Sequence, residues 1–194
     1  MKVGVLALQG AFREHREVLD ALGVEAVEVR TPESLGALDA LILPGGESTT
    51  MSKLLDTAEL RAPLAALLAD GLPVLGTCAG MILLAREVVD GRPDQWSFGA
   101  IDVAVRRNAY GRQRDSFEAD LDVAGVGGGA FPGVFIRAPR IESVGDDVDV
   151  LARYDDHAVL ARQGRIWVAS FHPELSGDLR LHEQFLSDAE RGSS

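Results

Sequence analysis

The chain has 194 residues, of which 46% are hydrophobic and 25% are charged, as is typical of a soluble globular protein with one substantial core. Its formal net charge of −11 argues against nucleic acid as a partner, because a surface that follows phosphates needs an excess of positive charge. Cys78 is the single cysteine, which excludes an intrachain disulfide and a metal cage of several cysteines. A lone thiol is also typical of a reducing, cytoplasmic setting.

The first predicted element is a buried strand at residues 3–8. This apolar stretch is too short for a signal peptide or for a membrane-spanning helix, which needs ~20 apolar residues, and charged residues follow it at once. The next elements, in chain order, are a helix at 12–22, strands at 25–29 and 38–43, a helical stretch from 49 to 70 broken before Pro63, a strand at 74–77 and a helix at 79–88. Alternation of this kind predicts a mostly parallel sheet with helices on both faces.

After Gly91 the predicted elements are short strands separated by Gly, Pro or Asp. They lie at 101–106, 116–122, 134–136, 148–154, 158–163 and 166–171, and an amphipathic helix at 179–189 follows them. We interpret the middle strands as antiparallel additions to the same sheet. The prediction is one α/β domain over residues 1–190, a three-layer α/β/α sandwich, with a flexible loop tip at 125–129 and a disordered tail at 191–194.

Cys78 lies between a predicted strand and a predicted helix, in the sequence Gly76-Thr-Cys-Ala-Gly80. This is the thiol counterpart of the G-x-S-x-G nucleophile elbow, in which small flanking residues allow a tight, strained turn. The N-terminus of the following helix favours a thiolate, and its first backbone N–H can stabilise an oxyanion. Most lone cysteines are simply buried, but a merely buried cysteine does not require these two glycines.

A second candidate group follows the predicted strand at 166–171, where the sequence reads His172-Pro173-Glu174. Residues two apart in an extended segment point to the same side, and Pro173 favours extended backbone at His172. His172 would then act as the general base and Glu174 would hold its tautomer. An ordinary His-Pro turn is the alternative. The other histidines, His15, His157 and His182, lie among charged residues, and we predict that they are solvated.

The Gly45-Gly46 turn follows a buried strand and precedes a helix, so its N–H groups can point at developing negative charge. A P-loop is excluded because no Gly-Lys-Ser/Thr sequence follows. The turn could also be a capped helix start with Ser48 or Thr49 as the N-cap. Arginine suits bidentate binding of a carboxylate. Candidates for that role are Arg106, Arg107, Arg112, Arg114 and Arg137, and their residue type alone does not single one out.

Taken together, these motifs resemble the class I, triad-type glutamine amidotransferases, and among them the glutaminase subunits of pyridoxal 5′-phosphate synthase. The resemblance runs nearly end to end. It rests on segments 4–15 (GVLALQGAFREH), 44–50 (PGGESTT), 76–80 (GTCAG), 107–113 (RNAYGRQ), 115–120 (DSFEAD), 134–139 (VFIRAP) and 170–175 (SFHPEL). PGGEST discriminates best, since many relatives share the cysteine elbow and H-P-E. The GVGGG stretch at 125–129 resembles a lineage-specific loop.

The resemblance implies a flavodoxin-like fold and a role for each matching position. The implied roles are a catalytic triad of Cys78, His172 and Glu174; glutamine binding by Gly46, Glu47, Ser48, Arg107, Ile136 and Arg137; an oxyanion hole at Gly45, Gly46 and Ala79; and a synthase interface at Gln9 and Gly10. It implies no metal and no bound cofactor. The implied partner is a (β/α)₈ synthase subunit in a large hetero-oligomer, which receives the ammonia released from L-glutamine.

Three other functions fit the same residues. The chain could serve another synthase, such as that of histidine biosynthesis, or keep the fold as a non-catalytic regulatory module. A thiol esterase or peptidase could also use such an elbow. The resemblance further implies that glutamine hydrolysis is weak until a partner reshapes the Gly45-Gly46 turn.

Overall fold

A computed structural model describes residues 1–92, 94–107 and 116–191. Its strands are β1 (Lys2–Leu6), β2 (Glu25–Val29), β3 (Ala40–Leu43), β4 (Val74–Thr77), β5 (Ala85–Val88), β6 (Ile101–Arg106), β7 (Ser116–Leu121), β8 (Phe131–Ile136), β9 (Arg140–Val144), β10 (Asp149–Tyr154), β11 (His157–Gln163) and β12 (Ile166–Ala169). Its helices are α1 (Phe12–Ala21), α2 (Ser48–Thr57), α3 (Arg61–Ala69), α4 (Ala79–Leu84) and α5 (Arg180–Arg191), with 3₁₀ turns at Pro32–Leu35 and Pro173–Leu175.

Within these ranges, seven strands form the central sheet in the order β10-β11-β12-β4-β3-β1-β2. The five strands from β12 to β2 are parallel to one another, while β11 and β10 extend one edge in antiparallel fashion. This arrangement confirms the predicted mostly parallel sheet with antiparallel additions.

Helices cover both faces of this sheet, as the strand–helix alternation predicted. On one face, Leu19 of α1 and Phe185 of α5 share a buried apolar cluster with Trp167 of β12. On the other face, Met51 of α2 and Met81 of α4 pack in a second cluster. Burial of these apolar side chains on both faces is the main driving force for the three-layer arrangement.

The prediction that all middle strands join the central sheet is wrong. In the described residues, β5, β6 and β9 form a three-stranded sheet of their own, and β7 pairs with β8 as a separate hairpin. Val103 of β6 joins the cluster on the α2–α4 face, and Phe135 of β8 joins the cluster on the α1–α5 face. The small sheets therefore cover the faces of the central sheet. An alternating pattern reveals a half-buried strand but does not reveal its pairing partner.

The predicted helix at 79–88 ends early, because Leu84 is the last helical residue and β5 follows. The carbonyl groups of Leu83 and Leu84 accept hydrogen bonds from the N–H groups of Phe98 and Ala100, 2.7 and 2.8 Å away, instead of continuing the helix. The stretch predicted at 49–70 divides into α2 and α3, and Pro63 lies in the first turn of α3, where its missing N–H is not needed.

The last helix continues through Arg191, the first residue of the predicted tail, and the rest of that tail lies outside the described residues. Among the described helices, none combines the length and apolar character that crossing a membrane requires.

The carboxyl ends of β1, β3, β4 and β12 lie along one edge of the parallel sheet. The segments that follow these strands carry, respectively, Gln9, the Gly45-Gly46 turn, Cys78 and His172. Open parallel sheets bind ligands in the crevice at this edge. The fold therefore brings together four sequence motifs that are widely separated along the chain.

Candidate active site

Cys78 is held in a strained turn between β4 and α4. Its backbone has φ 48° and ψ −102°, in the left-handed range of φ that non-glycine residues rarely adopt. The Cys78 N–H donates to the carbonyl of Ala169 at 2.8 Å, which extends the pairing of β4 with β12 through the turn. The strand–turn–helix context predicted for this cysteine is confirmed, and the strain is of the kind that concentrates at functional sites.

Gly80 is required in this turn because the chain passes very close to β3. A Cβ atom at Gly80 would lie 1.9 Å from the backbone oxygen of Leu43. A backbone oxygen cannot move aside as the end of a side chain can. The glycine two residues after the cysteine therefore allows α4 to pack against β3, which is the packing reason for the elbow motif.

His172 and Glu174 form a direct hydrogen bond, with His172 Nδ1 2.7 Å from Glu174 Oε1. Both residues are buried, with 7% and 6% of their surfaces exposed. The predicted contact is present, but its geometry differs from the prediction, because Glu174 lies in the 3₁₀ turn at Pro173–Leu175 and not in extended backbone. This turn follows the strand and bends the carboxylate back towards the imidazole.

The protonation of His172 depends on its two neighbours. Burial alone would lower its pKa, but hydrogen bonds to Cys78 and Glu174 raise the pKa to about 10. The imidazole is thus a stronger base than free histidine and holds its proton at neutral pH. A protonated imidazole beside the sulfur favours a thiolate and can supply a proton to a leaving group.

A pH dependence of stability follows from the raised pKa of His172. Its protonation should contribute to the free energy of unfolding fully below pH 6.5, and this contribution should disappear as the pH rises through about 10. Chemical unfolding of the wild type and of His172→Gln would measure this contribution. As the pH rises from 6.5 to about 10, the free energy of unfolding of the wild type should fall relative to that of the variant. A difference that stays constant over this range would contradict the assigned pairing.

The Gly45-Gly46 turn lies against His172 and Cys78. A Cβ atom at Gly45 would come within 2.3 Å of His172 Cε1 and 3.3 Å of Cys78 Cβ, so a larger residue would clash with the imidazole. The segment after β1 holds this turn: the Ala11 N–H donates to the Gly45 carbonyl at 3.0 Å, and the Glu47 N–H donates to Gln9 Oε1 at 2.9 Å.

Glu47 is the N-cap of α2, which corrects the alternative that placed the cap at Ser48 or Thr49. Its carboxylate accepts hydrogen bonds from the N–H groups of Thr49 and Thr50 at 3.1 and 2.7 Å. Burial would raise the pKa of Glu47, but the hydrogen bonds from Thr50 and Thr49 lower it to about 2. The cap is therefore ionised at neutral pH.

Arg107 reaches the same carboxylate from the opposite side of the crevice. Its guanidinium lies 3.1 Å from Glu47 Oε1 and donates to Gln95 Oε1 at 2.7 Å. Gln95 in turn donates to Ser48 Oγ at 2.9 Å. Gln95 was not predicted from the sequence, and no motif marks it. Its side-chain amide connects Arg107 and Ser48 by hydrogen bonds, and both of these residues were predicted to bind substrate.

A crevice of about 420 Å³ opens over Cys78. The predicted site residues that line it are Gln9, Gly10, Gly45, Gly46, Glu47, Ser48, Cys78, Arg107, Ile136, Arg137 and His172. Glu174 and Ala79 lie behind this surface and are buried. Arg137 has φ 41°, so Cys78 and Arg137 are both crevice residues with left-handed backbone. Arg112 and Arg114 are outside the described residues, while Arg106 pairs with Glu142 on β9.

His15 and His182 are completely buried, so the prediction that they are solvated is wrong. His15 follows Phe12 by three residues and precedes Leu19 by four, which places it on the apolar face of α1. This helical spacing is the signal that could have identified His15 as buried, whereas its charged sequence neighbours suggest exposure to solvent. His157 is partly exposed at the start of β11.

Comparison with known proteins agrees with this geometry. Residues 5–191 match the SNO glutamine amidotransferase family. The chain belongs to this family. Among curated relatives, pyridoxal 5′-phosphate synthase subunit PdxT of Mycobacteroides abscessus is 58% identical over 190 residues, covering 98% of both chains. The protein of the same name from Pelotomaculum thermopropionicum is also 58% identical, covering 98% of this chain and 96% of the relative.

Solved structures of similar proteins have the same fold as this SNO family member. A crystal structure of a glutamine amidotransferase superposes with a TM-score of 0.91 at 53% identity, covering 97% of this chain and 98% of the other. The structure of PurLQS from Thermotoga maritima has a TM-score of 0.68 at 17% identity, which indicates the shared fold alone. The resemblance recognised in the sequence is thus confirmed, as is the predicted fold class.

Proposed function

We propose that the protein hydrolyses L-glutamine to L-glutamate and ammonia, as the glutaminase subunit of a pyridoxal 5′-phosphate synthase. The observation that carries this proposal is that Cys78 and His172 line one crevice while Glu174 hydrogen-bonds to His172 from behind it, in a chain 58% identical to a pyridoxal 5′-phosphate synthase subunit PdxT. A module that had lost catalysis would not need to keep a strained cysteine beside a histidine–carboxylate pair.

The proposed reaction begins when the Cys78 thiolate attacks the side-chain amide of glutamine. His172 donates its proton to the departing ammonia, and a γ-glutamyl thioester forms. The neutral imidazole then takes a proton from water, the resulting hydroxide attacks the thioester, and glutamate leaves as the thiolate returns. Glu174 holds His172 through the 2.7 Å hydrogen bond to Nδ1, so that Nε2 is directed to the reacting atoms.

The tetrahedral intermediate carries a negative oxygen that needs hydrogen-bond donors. Ala79 begins α4, so its N–H is among those that no helical carbonyl occupies. Together with the backbone of the Gly45-Gly46 turn, it would form the oxyanion hole. The turn's position against His172 and Cys78 supports this assignment.

Arg107 is the proposed partner of the substrate α-carboxylate, with Glu47, Ser48, Gly46, Ile136 and Arg137 around the remainder of glutamine. The guanidinium already holds one carboxylate, that of Glu47. Its side chain lines the crevice and is only 16% exposed. A substrate carboxylate would bind this guanidinium next to the carboxylate of Glu47.

Substitution of Arg107 tests this assignment. Arg107→Ala should raise KM for glutamine about 10- to 100-fold, which is the effect of losing a charge-assisted hydrogen bond, and should change kcat much less. The matched control is Arg106→Ala, because Arg106 is the adjacent arginine but pairs with Glu142 away from the crevice. Steady-state ammonia release would measure both. Equal KM values for the two variants would refute the role of Arg107.

The proposed partner is a (β/α)₈ synthase subunit in a large hetero-oligomer, with Gln9 and Gly10 at the interface. This position would couple docking to catalysis, because Gln9 binds the Glu47 N–H and its neighbour Ala11 binds the Gly45 carbonyl. Movement of this segment would shift the oxyanion turn directly. Uncharged ammonia is the nucleophilic form, so transfer within a complex would protect it from protonation by water.

The function is tested by an ammonia-release assay with purified chain and glutamine, with and without the synthase subunit. We expect weak release by the chain alone and faster release with the synthase. Labelling with diazo-oxo-norleucine, followed by mass spectrometry, should place an adduct on Cys78. No adduct in the presence of synthase would favour a non-catalytic module, and stimulation only by an unrelated synthase would favour another pathway.

We further propose a cytoplasmic location and one domain over residues 1–190. The single free thiol supports the reducing compartment. Limited proteolysis and fractionation would test these two assignments.

A further inference from the structure

Two histidines lie behind the triad, where the mechanism above gives them no role. His15 on α1 and His182 on α5 are both 0% exposed. Their rings meet directly, with His15 Nδ1 3.0 Å from His182 Nε2. Burying two imidazoles in an apolar interface costs free energy that two apolar residues would not, so their presence needs a reason.

The pair is connected to the catalytic groups. His15 Nε2 forms a hydrogen bond with Thr77 Oγ1 at 3.2 Å and lies 3.3 Å from Glu174 Oε2, a buried oxygen that has no hydrogen-bond partner among the described residues. The other oxygen of the same carboxylate, Oε1, binds His172. Thr77 immediately precedes Cys78. A continuous series of polar contacts thus runs from His182 through His15 and Glu174 to His172.

One arrangement of protons suits these contacts when the carboxylate is ionised. A carboxylate is an acceptor, so the His15 nitrogen that faces Glu174 must carry hydrogen when the carboxylate is ionised. Neutral His15 then has a lone pair on Nδ1 and accepts a hydrogen bond from His182 Nε2–H. This leaves a lone pair on His182 Nδ1, which has no hydrogen-bond partner in the part of the chain described. The reverse arrangement would leave a buried N–H unpaired and turn a lone pair towards the carboxylate.

A metal site is a poor explanation for the pair. The two nitrogens are at hydrogen-bonding distance, which leaves no space between them for an ion that binds each at about 2.0–2.1 Å. Within residues 1–92, 94–107 and 116–191, no group of three His, Cys, Asp or Glu residues is arranged to hold a metal.

We propose that His15, oriented by His182, is a positioning residue that places a nitrogen 3.3 Å from the second oxygen of Glu174, stabilises the ionised carboxylate electrostatically and thereby keeps His172 aligned with Cys78. For glutamine turnover, this inference rests on the proposed function. The effect passes through Glu174, since neither histidine lines the crevice. An N–H on Nε2 near Oε2 favours the ionised carboxylate, and the 3.0 Å contact of Nδ1 with His182 orients the ring.

The titratable groups that face this carboxylate are His172 on its own turn and His15 on α1, with His182, Cys78 and Glu14 one contact further away. Burial would raise the pKa of Glu174, but the neighbouring histidines lower it overall. Removing the His15 donor should therefore raise the pKa of the carboxylate, and Glu174 would become protonated at a higher pH.

The test is the double variant His15→Leu/His182→Leu, which removes both polar partners together and leaves neither imidazole unpaired. In the complete chain with synthase, we expect kcat to fall about tenfold, as when an orienting group is lost, with KM for glutamine unchanged. The acid limb of the rate of Cys78 alkylation by iodoacetamide should move to higher pH by about one unit. Circular dichroism and thermal unfolding would establish that the variant is folded.

A second pair of variants keeps the test decisive if the double variant does not fold. The amide of His15→Gln carries a donor and an acceptor spaced like the two ring nitrogens, and should restore most of the activity and the wild-type acid limb. His15→Asn is as polar but too short to reach Glu174, and should resemble the loss of His15. If the folded double variant or folded His15→Asn keeps the wild-type kcat and acid limb, or if His15→Gln and His15→Asn are equally impaired, the proposal is wrong.

Alkylation needs no glutamine, so it separates this inference from the function. Absence of ammonia release by the wild type with synthase would refute the proposed function. The alkylation profiles of the variants would still decide whether His15 acts on the triad.

Discussion

Replacing Cys78 with alanine should reduce glutamine-dependent ammonia release by at least about 10⁴-fold, because the reaction has no nucleophile without the sulfur. Alanine retains the Cβ atom, and the thiol is a small part of the core, so the fold should remain. The residual rate would come from groups that still bind glutamine and polarise its amide. The measurement is single-turnover ammonia release in the presence of the synthase subunit.

Two comparisons make this result interpretable. Ser187→Ala changes an exposed residue of α5 away from the crevice and should keep the wild-type rate. Binding of glutamine to Cys78→Ala, measured by calorimetry, should persist, since the crevice residues are unchanged. Ammonia release by Cys78→Ala within tenfold of the wild type would remove Cys78 from the mechanism.

Replacing Gly80 with alanine should have the largest effect on stability, a loss of about 3 kcal/mol from the free energy of unfolding. The added Cβ would lie 1.9 Å from the Leu43 backbone oxygen, so either α4 or β3 must move. That movement would also displace the elbow, and activity should fall even in the molecules that remain folded. Urea unfolding and ammonia release, measured on the same preparation, would report both effects.

Gly127→Ala is the matched control for this substitution. Gly127 lies in the exposed loop before β8, and among the described atoms nothing comes within 4 Å of a Cβ built there. Its stability and activity should match the wild type. A Gly80→Ala protein as stable as Gly127→Ala would show that α4 is not held against β3 as described.

Much of the fold was predictable because it depends on local pattern. The predicted bounds of β2, β4 and β6 agree with the structure, since each is a short valine-containing segment with Gly or Pro close to one or both ends. The elbow was predictable for a similar reason, because its strand, turn and helix are consecutive in the chain. Pairing was harder to predict, and β7–β8 shows why: alternation indicates a half-buried strand but carries no information on its partner.

The candidate site divides in the same way. Cys78, His172 and Glu174 were identified from short motifs whose residue types suit nucleophilic catalysis. Gln95 was missed because its role comes from contacts with Arg107 and Ser48, which are distant in sequence. His15 and His182 were misassigned because charged neighbours along a helix say little about the face on which a residue lies.

By itself, then, the sequence determined the α/β class, the family, and the three groups proposed for catalysis at the ends of parallel strands. Only the tertiary structure decided which buried residues surround these groups. The packing of α1 against the 3₁₀ turn at Pro173–Leu175 brings His15 to within 3.3 Å of Glu174, although the two residues are far apart in the chain. The physical reason is that a nucleophile elbow is a local conformation, whereas the environment of a buried carboxylate depends on which helices pack around it.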